Sequence, residues 1–126
     1  MENPGIEEFF SEDIGLSSEL CCIYPHGTTA VLGGTADDDV WDQRPDPLQG
    51  RHIVNRCAAI LPALAEARVI SQMVGLRPTR ASVRVEEDVA ASGSRLVHNY
   101  GHGGAGVTLS WGCADAVINL IDSGQR

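Results

Sequence analysis

Five glycines lie within the twelve residues from Gly101 to Gly112, inside the stretch HNYGHGGAGVTLSWGCA at positions 98–114. Glycine loses more backbone entropy on folding than other residues and leaves no side chain to pack, so this density needs a physical reason. A strand, a glycine loop and a helix in this order present the N–H groups of a helix N-terminus to a ligand. The helix dipole adds about half a positive charge there, which favours an anion or an electron-rich ring.

The spacing of these glycines also fits a dinucleotide-binding loop. Residues 101–106, GHGGAG, match G-x-G-x-x-G. That motif requires a βαβ unit and an acidic residue at the end of the second strand. Only twenty residues follow Gly106 and the predicted helix uses most of them, so a dinucleotide-binding loop is the weaker interpretation.

Two histidines and a cysteine in the same stretch raise the alternative of a zinc site. His98 and His102 are four residues apart, and Cys113 follows. The surrounding glycines are poor helix formers, and no further ligand pair accompanies these side chains. We therefore predict no metal here, with His98 satisfied within a strand and His102 in a loop.

Two arginines flank a proline in GLRPTR, residues 75–80. Proline keeps the residue before it extended, and Arg77 directly follows an apolar stretch, at the kind of strand end where sites are built. A guanidinium can hold a carboxylate through two parallel hydrogen bonds. Arg77 is therefore a candidate carboxylate-binding residue, with a solvated arginine as the open alternative. Arg84 is expected at the surface or between strands.

Length, composition and charge limit the class of protein. The 126 residues suit one domain or part of one, and 43% of them are hydrophobic, which is enough for a core. A net charge of −8 argues against nucleic acid or an anionic membrane surface as the main partner. No run of eighteen apolar residues occurs, so no membrane-spanning segment is predicted. Four cysteines without C-x-x-C spacing are expected as reduced thiols, with disulfides as the alternative.

Local patterns predict the elements that position these residues. Two short apolar runs at 20–25 and 29–35, separated by a turn, predict a β-hairpin. Asp46 and Pro47 predict the start of a helix, and Pro62 predicts its end or a kink. Further strands are predicted at 68–76, 82–86 and 95–100, and an apolar helix at 107–121.

With these elements in place, LVHNYGHGGAGVTLSWGCA, residues 96–114, resembles the C-terminal signature of the D-amino-acid oxidases, which use FAD. The segments ENPGIEEFFSED, AVLGGTA, NRCAAILPAL and VGLRPTRASVRVEED resemble further parts of that family in the same order. The resemblance implies an α+β fold, with a mixed β-sheet substrate domain and the C-terminal strand–glycine loop–helix of a two-domain flavin amine oxidase. Residues 1–126 would form a partial FAD-dependent oxidoreductase domain, with 6–94 substrate-domain-like and 95–126 flavin-contacting.

The resemblance also implies site residues. Arg77 matches the arginine that holds the substrate carboxylate, and the Gly104 carbonyl would accept the substrate amine. The residues expected to contact the flavin are Gly103, Gly104, Ala105, Gly106, Val107 and Thr108. The implied reaction is hydride transfer from the substrate α-carbon to FAD, giving a 2-oxo acid, ammonia and hydrogen peroxide. No catalytic acid or base is assigned from the resemblance, because the protein mainly orients the substrate.

Two departures from the family pattern keep alternatives open. Cys22 stands where the family usually has a substrate-contacting tyrosine, with Tyr24 about 6–7 Å along the same face. The family's dinucleotide-binding N-terminal half is missing, and the sequence around Met1 reads like a chain cut at an arbitrary point. The expected partners are therefore a D-amino acid and either a separate dinucleotide-binding chain or a second copy of this one.

Three functions remain open at this point. The chain is a portion of a D-amino-acid oxidase, a truncated remnant without catalysis, or a portion of a related flavin amine oxidase acting on D-aspartate or glycine. Whether it is an enzyme on its own stays undecided, although the family is enzymatic. The final residues Ser123–Arg126 differ from the peroxisomal signal S-K-L, so the expected location is the cytoplasm.

Overall fold

The computed structural model describes residues 1–12 and 19–123. The chain forms two compact units, Met1–Gly75 and Leu76–Arg126. Both units combine helix with antiparallel sheet, in agreement with the predicted α+β class. The proposed boundary at residue 94 between substrate-binding and flavin-contacting parts is a functional division, and it stays a prediction.

The first unit contains a three-stranded antiparallel sheet in the order β1-β2-β3. Its strands are β1 (Phe10–Glu12), β2 (Glu19–His26) and β3 (Thr29–Thr35). The hairpin of β2 and β3 confirms the prediction, with Ile23 opposite Leu32. The short strand β1 was not predicted, because three residues are too few for an alternating pattern to be recognised. It pairs with β2 through Phe10, which also lies opposite Ile23.

Helix α1 (Pro47–Ile60) begins where the sequence predicts. The Asp46 carboxylate accepts the N–H of Leu48 at 2.8 Å, which satisfies one free donor of the first turn. Pro47 occupies the first helical position, where a missing N–H costs nothing. The α-helix ends at Ile60, and a 3₁₀ turn follows over Pro62–Ala65, as expected of a proline at that position.

The core of the first unit packs β2 against α1 and the 3₁₀ turn. Its fully buried side chains include Ile23, Cys57 and Leu64. The sulfur of Cys21, also buried, lies 3.8 Å from that of Cys57. Burial, followed by the neighbouring Cys21 thiol, raises the pKa of Cys57 to about 12. All four cysteines are free thiols in the structure.

The segment 68–76 is not the strand that its apolar sequence predicts. Its backbone is irregular, and Val69 and Met73 are exposed. Apolar content favours contact with other apolar residues, but a strand also needs a neighbouring backbone with which to form hydrogen bonds. Within the described residues, the segment is held by single bonds instead. One joins the N–H of Glu2 to the carbonyl of Arg68 at 2.9 Å.

The second unit is a long hairpin followed by a helix. Strands β4 (Thr79–Val89) and β5 (Arg95–His102) are antiparallel and extend beyond the predicted 82–86 and 95–100. Their register is interrupted between Thr79 and Arg84. Helix α2 (Gly106–Ser123) confirms the predicted helix and begins one residue earlier.

Arg95 joins the hairpin to the end of α2. Its guanidinium donates to the Glu87 carboxylate at 2.8 Å, to the Leu120 carbonyl at 2.8 Å and to the Ile121 carbonyl at 3.1 Å. The last carbonyls of a helix have no partners within the helix, so a cation here satisfies two of them. The same contact with Arg95 lowers the pKa of Glu87.

Helix α2 carries large exposed apolar side chains. Val107 and Trp111 are 90% and 84% exposed. Contrary to the sequence expectation, Gly103–Ser123 is long and apolar enough to cross a membrane by length and composition. A single helix of this kind is weak evidence for a membrane, because core helices of soluble proteins meet the same criterion.

The buried Cys57 thiol should make the first unit sensitive to alkaline pH. Its folded pKa of about 12 exceeds the ordinary value of 9.0, so the unfolded chain loses this proton first. The stabilising contribution is complete below about pH 9 and is lost as the pH rises towards 12. We expect the unfolding free-energy difference between wild type and Cys57→Ala to shrink from about pH 8 to about pH 11 in urea titrations. Cys22→Ala, at a half-buried thiol, is the control, and a Cys57→Ala difference that does not change with pH would contradict the prediction.

Candidate functional site

The candidate site is formed at the junction of β5 and α2. The strand ends at His102, a 3₁₀ turn covers Gly103–Ala105, and the helix begins at Gly106. The predicted order of strand, glycine loop and helix is therefore present, although His102 closes the strand and does not lie in the loop. The first turn of α2 contains no acidic residue, so no carboxylate there offsets the positive end of the helix.

Gly103 attaches the loop to the segment that contains Arg77. Its N–H donates to the carbonyl of Pro78 at 3.0 Å. Its φ of +56° is strained for residues with a side chain, and a Cβ would stand 3.2 Å from the Thr79 hydroxyl. That hydroxyl donates to the carbonyl of Arg77 at 3.2 Å. The glycine turn is thus joined to Pro78 by a backbone hydrogen bond, and the Thr79 side chain beside Gly103 is bonded to the backbone of Arg77.

Arg77 and Gly104, both predicted to bind substrate, lie next to each other. A Cβ built on Gly104 would be 3.5 Å from Cδ and 3.5 Å from Nε of Arg77, which is ordinary van der Waals distance. Both residues are exposed. The structure therefore brings a guanidinium and a bare stretch of backbone to the same accessible position.

Arg80 packs beside the same junction, and sequence reasoning gave it no role. A Cβ at Gly101, where φ is +86°, would lie 2.6 Å from Cδ of Arg80, so this side chain fills the space that glycine leaves. The Arg80 guanidinium lies 5.1 Å from the ring centre of Tyr100 and donates to its hydroxyl at 3.2 Å. The only signal in the sequence was the repeated arginine of GLRPTR.

Arg84, in β4, lies opposite Tyr100 of β5 and joins the two strands, as predicted. It donates to the Tyr100 hydroxyl at 3.1 Å and to the Glu86 carboxylate at 2.6 Å. These two bonds, in that order of importance, raise the pKa of Arg84. The Tyr100 hydroxyl therefore accepts from two permanent cations, Arg80 and Arg84, which fixes the strand just before the glycine turn.

The other residues predicted to contact a flavin continue from Gly104 into the first turn of α2. Ala105, Val107 and Thr108 are exposed, and Gly106 is half-buried. A Cβ on Gly106 would lie 3.7 Å from Cβ of His102. These residues form a short accessible surface at the positive end of the helix, and their roles stay predictions.

Cys22 belongs to the first unit. It lies in β2 opposite Gly33, and its sulfur is 3.5 Å from the Ser11 hydroxyl. The side chain is half-buried. Its role as a substrate contact, in the place of a tyrosine, stays a prediction.

The histidines of the stretch find partners other than a metal. His98 lies in β5, 3.6 Å from the Asp88 carboxylate and edge-on to the Tyr100 ring, so it is satisfied within a strand as predicted. His102 Nε2 lies 3.3 Å from the Cys113 sulfur. Across residues 1–12 and 19–123, no group of three or more His, Cys, Asp or Glu side chains could hold a metal ion.

The donors at this junction suit an anion or an electron-rich ring. A guanidinium stands against bare glycine backbone, and a helix begins two residues later without an acidic side chain in its first turn. Positive partial charge fixed in this way favours negative charge that develops on a bound group.

The chain belongs to the FAD-dependent oxidoreductase family, whose family model matches residues 8–120. It is 48% identical over 120 residues to a D-amino-acid oxidase of Streptomyces coelicolor, covering 95% of this chain and 38% of that protein. It is 47% identical over 118 residues to a D-amino-acid oxidase of Rubrobacter xylanophilus, covering 94% of this chain and 36% of that protein. Human D-aspartate oxidase is 38% identical over 124 residues, covering 96% of this chain and 35% of that protein.

These matches confirm the family that the sequence motifs indicated. The chain spans little more than a third of the length of these relatives. The glycine loop and the GLRPTR segment both lie within the matched residues.

Three glycines of the second unit should respond differently to alanine. Gly101→Ala combines a positive φ with a collision against Arg80, and strain alone should cost about 1–3 kcal/mol of unfolding free energy. Gly104→Ala makes only ordinary contacts with Arg77 and should be nearly neutral for folding. Gly112→Ala meets open space within α2 and should stabilise the unit by about 0.5–1 kcal/mol. Urea unfolding of the three variants measures this order, and equal losses for the first two would contradict it.

Proposed function

We propose that this chain supplies the substrate-binding and flavin-ring-binding portion of an FAD-dependent oxidase that converts D-amino acids to 2-oxo acids, ammonia and hydrogen peroxide. The observation that carries this proposal is the position of the Arg77 side chain, which lies 3.5 Å from where a Cβ on Gly104 would be, beside the start of α2. Relatives named D-amino-acid oxidase, at 44–48% identity, support the substrate class.

Arg77 acts on the substrate by holding its carboxylate. Each charge-assisted hydrogen bond to a carboxylate contributes about 1.5–3 kcal/mol, and a guanidinium can form two in parallel. The backbone carbonyl of Gly104 accepts from the substrate amine next to it. Two fixed groups on the α-carbon then determine where its hydrogen and its side chain point. With the ring on one face as a third fixed point, only one enantiomer can direct its hydrogen to the ring, and the names of the relatives favour the D form.

Bound FAD would supply the two-electron acceptor for oxidation of the amine. The segment Gly103–Thr108 would hold the edge of its ring, because glycine backbone permits close approach. The positive end of α2 favours negative charge at that edge. We assign no catalytic acid or base to the chain, since its contribution is orientation and fixed charge. The remaining contacts to FAD fall to polypeptide outside these 126 residues, in the same chain or in a separate one.

Two other functions have a specific observation in their favour. The identity of 38% with human D-aspartate oxidase favours an acidic substrate, although less strongly than 48% favours the D-amino-acid oxidases. Cys22 at the usual tyrosine position favours a remnant without catalysis, because a thiol lacks the area and the hydrogen bond of a phenol. We rank the D-amino-acid oxidase first.

The test is a chimera in which this chain replaces the matching segment of the Streptomyces coelicolor D-amino-acid oxidase. The FAD-loaded chimera is expected to release hydrogen peroxide with D-amino acids and not with their L enantiomers. Arg77→Leu removes the carboxylate bonds and should lower kcat/KM about a hundredfold or more. Arg44→Leu is the matched control, because Arg44 is exposed and pairs with the nearby Asp42 in a loop.

Each outcome of this experiment favours one function. A chimera that binds FAD and releases no peroxide contradicts the oxidase and favours the remnant, and recovery by Cys22→Tyr would identify Cys22 as the cause. Peroxide release with D-aspartate alone would favour the acidic substrate. An Arg77→Leu variant as active as Arg44→Leu would contradict the assigned role of Arg77.

A further inference from the structure

The end of β5 and the second turn of α2 bring a thiol and an imidazole into contact. The Cys113 sulfur lies 3.3 Å from His102 Nε2, and the two residues are eleven positions apart. Both side chains are half-buried, so a small solute can reach them from solvent. Neither residue has a part in the function proposed above, and no metal cluster within the described residues accounts for the pair.

We infer that Cys113 and His102 form a modification site, in which His102 activates the Cys113 thiol for oxidation by hydroperoxides to a sulfenic acid. A nucleophile and a base within hydrogen-bond reach are the requirement for such activation. The inference does not depend on the oxidase activity, because the oxidant can be added directly. If the chain does release hydrogen peroxide in an assembled oxidase, the same oxidant arises in its own surroundings.

The reaction is a two-electron oxidation of sulfur. His102 Nε2, when it carries no proton, accepts the thiol proton while the Cys113 sulfur attacks the terminal oxygen of the hydroperoxide. A sulfur–oxygen bond forms, the oxygen–oxygen bond breaks, and the leaving oxygen takes the proton back from the imidazole. Thiol and hydroperoxide thus become sulfenic acid and water, or an alcohol when the peroxide is organic.

The other cysteines provide comparisons within the same molecule. Cys21 and Cys57 are buried in the first unit, and burial keeps the Cys57 thiol protonated by raising its pKa to about 12. Cys22 is half-buried like Cys113, but its sulfur contacts the Ser11 hydroxyl, which is not a base at neutral pH. Exposure is therefore similar for Cys22 and Cys113, while the neighbouring group differs.

The position of the pair connects oxidation to the glycine turn. His102 directly precedes Gly103, whose N–H donates a hydrogen bond to the Pro78 carbonyl. A sulfenic acid at Cys113 is larger and more polar than a thiol and changes the hydrogen bond at this end of β5. Oxidation would therefore act on the backbone that leads into the loop beside Arg77.

The test exposes the 126-residue chain to hydrogen peroxide in the presence of dimedone, which traps sulfenic acids, and measures labelling at each cysteine by peptide mass spectrometry. Cys113 is expected to be labelled about ten times faster than Cys22, with little labelling of Cys21 and Cys57. His102→Gln should bring the rate at Cys113 down to that of Cys22. His98→Gln is the matched control, since this histidine of the same strand contacts Asp88 and Tyr100.

A second measurement needs no variant. In urea the fold no longer holds the imidazole against the thiol, so the rate ratio between Cys113 and Cys22 should fall to about one. A ratio near one in the native chain, or a high ratio that persists in urea, overturns the inference. So does an unchanged rate at Cys113 in a folded His102→Gln variant.

Discussion

The hydrogen bond from the Gly103 N–H to the Pro78 carbonyl is the contact on which the candidate site depends. It closes the turn after β5 onto the segment that carries Arg77. The turn exists only because the backbone at Gly101 and Gly103 takes positive φ angles that side chains disfavour. A guanidinium on one segment and bare backbone on another become neighbours as a consequence. The arrangement of the candidate site is therefore set by the backbone conformation of the turn, which brings Gly104 beside the Arg77 side chain.

Local signals predicted much of the architecture because they act within a few residues of one another. Asp46 followed by Pro47 indicated the start of α1, where the carboxylate does cap Leu48. The apolar spacing from Val107 to Ile121 indicated α2. The motif GLRPTR indicated Arg77 as a candidate site residue, and its side chain does lie beside Gly104. Helix capping and apolar periodicity both depend on residues a few positions apart, so the sequence alone indicates them.

The features that the sequence predicted wrongly or did not predict share a physical cause: each depends on residues distant along the chain. Segment 68–76 has the composition of a strand, yet pairing requires a second backbone that composition does not specify. Arg80 packs against Gly101 and Tyr100, which are twenty or more residues away along the chain. It lies where the register between β4 and β5 is interrupted. The contact of His102 with Cys113 likewise depends on how the loop turns the helix back beside the strand.

The five glycines that dominate the sequence have different causes once the fold is considered. Gly101 and Gly103 are favoured by the fold itself, because side chains are strained at their positive φ angles and a Cβ at Gly101 would also collide with Arg80. Gly104 is not favoured in this way, since an added methyl group would make only ordinary contact with Arg77. Gly112 faces open space within the second unit. Gly104 differs from Gly112 in its surroundings, because its exposed backbone lies beside the Arg77 side chain. Dense glycine is thus a mixed signal: at Gly101 and Gly103 it builds the turn, and at Gly104 it leaves exposed backbone beside a guanidinium.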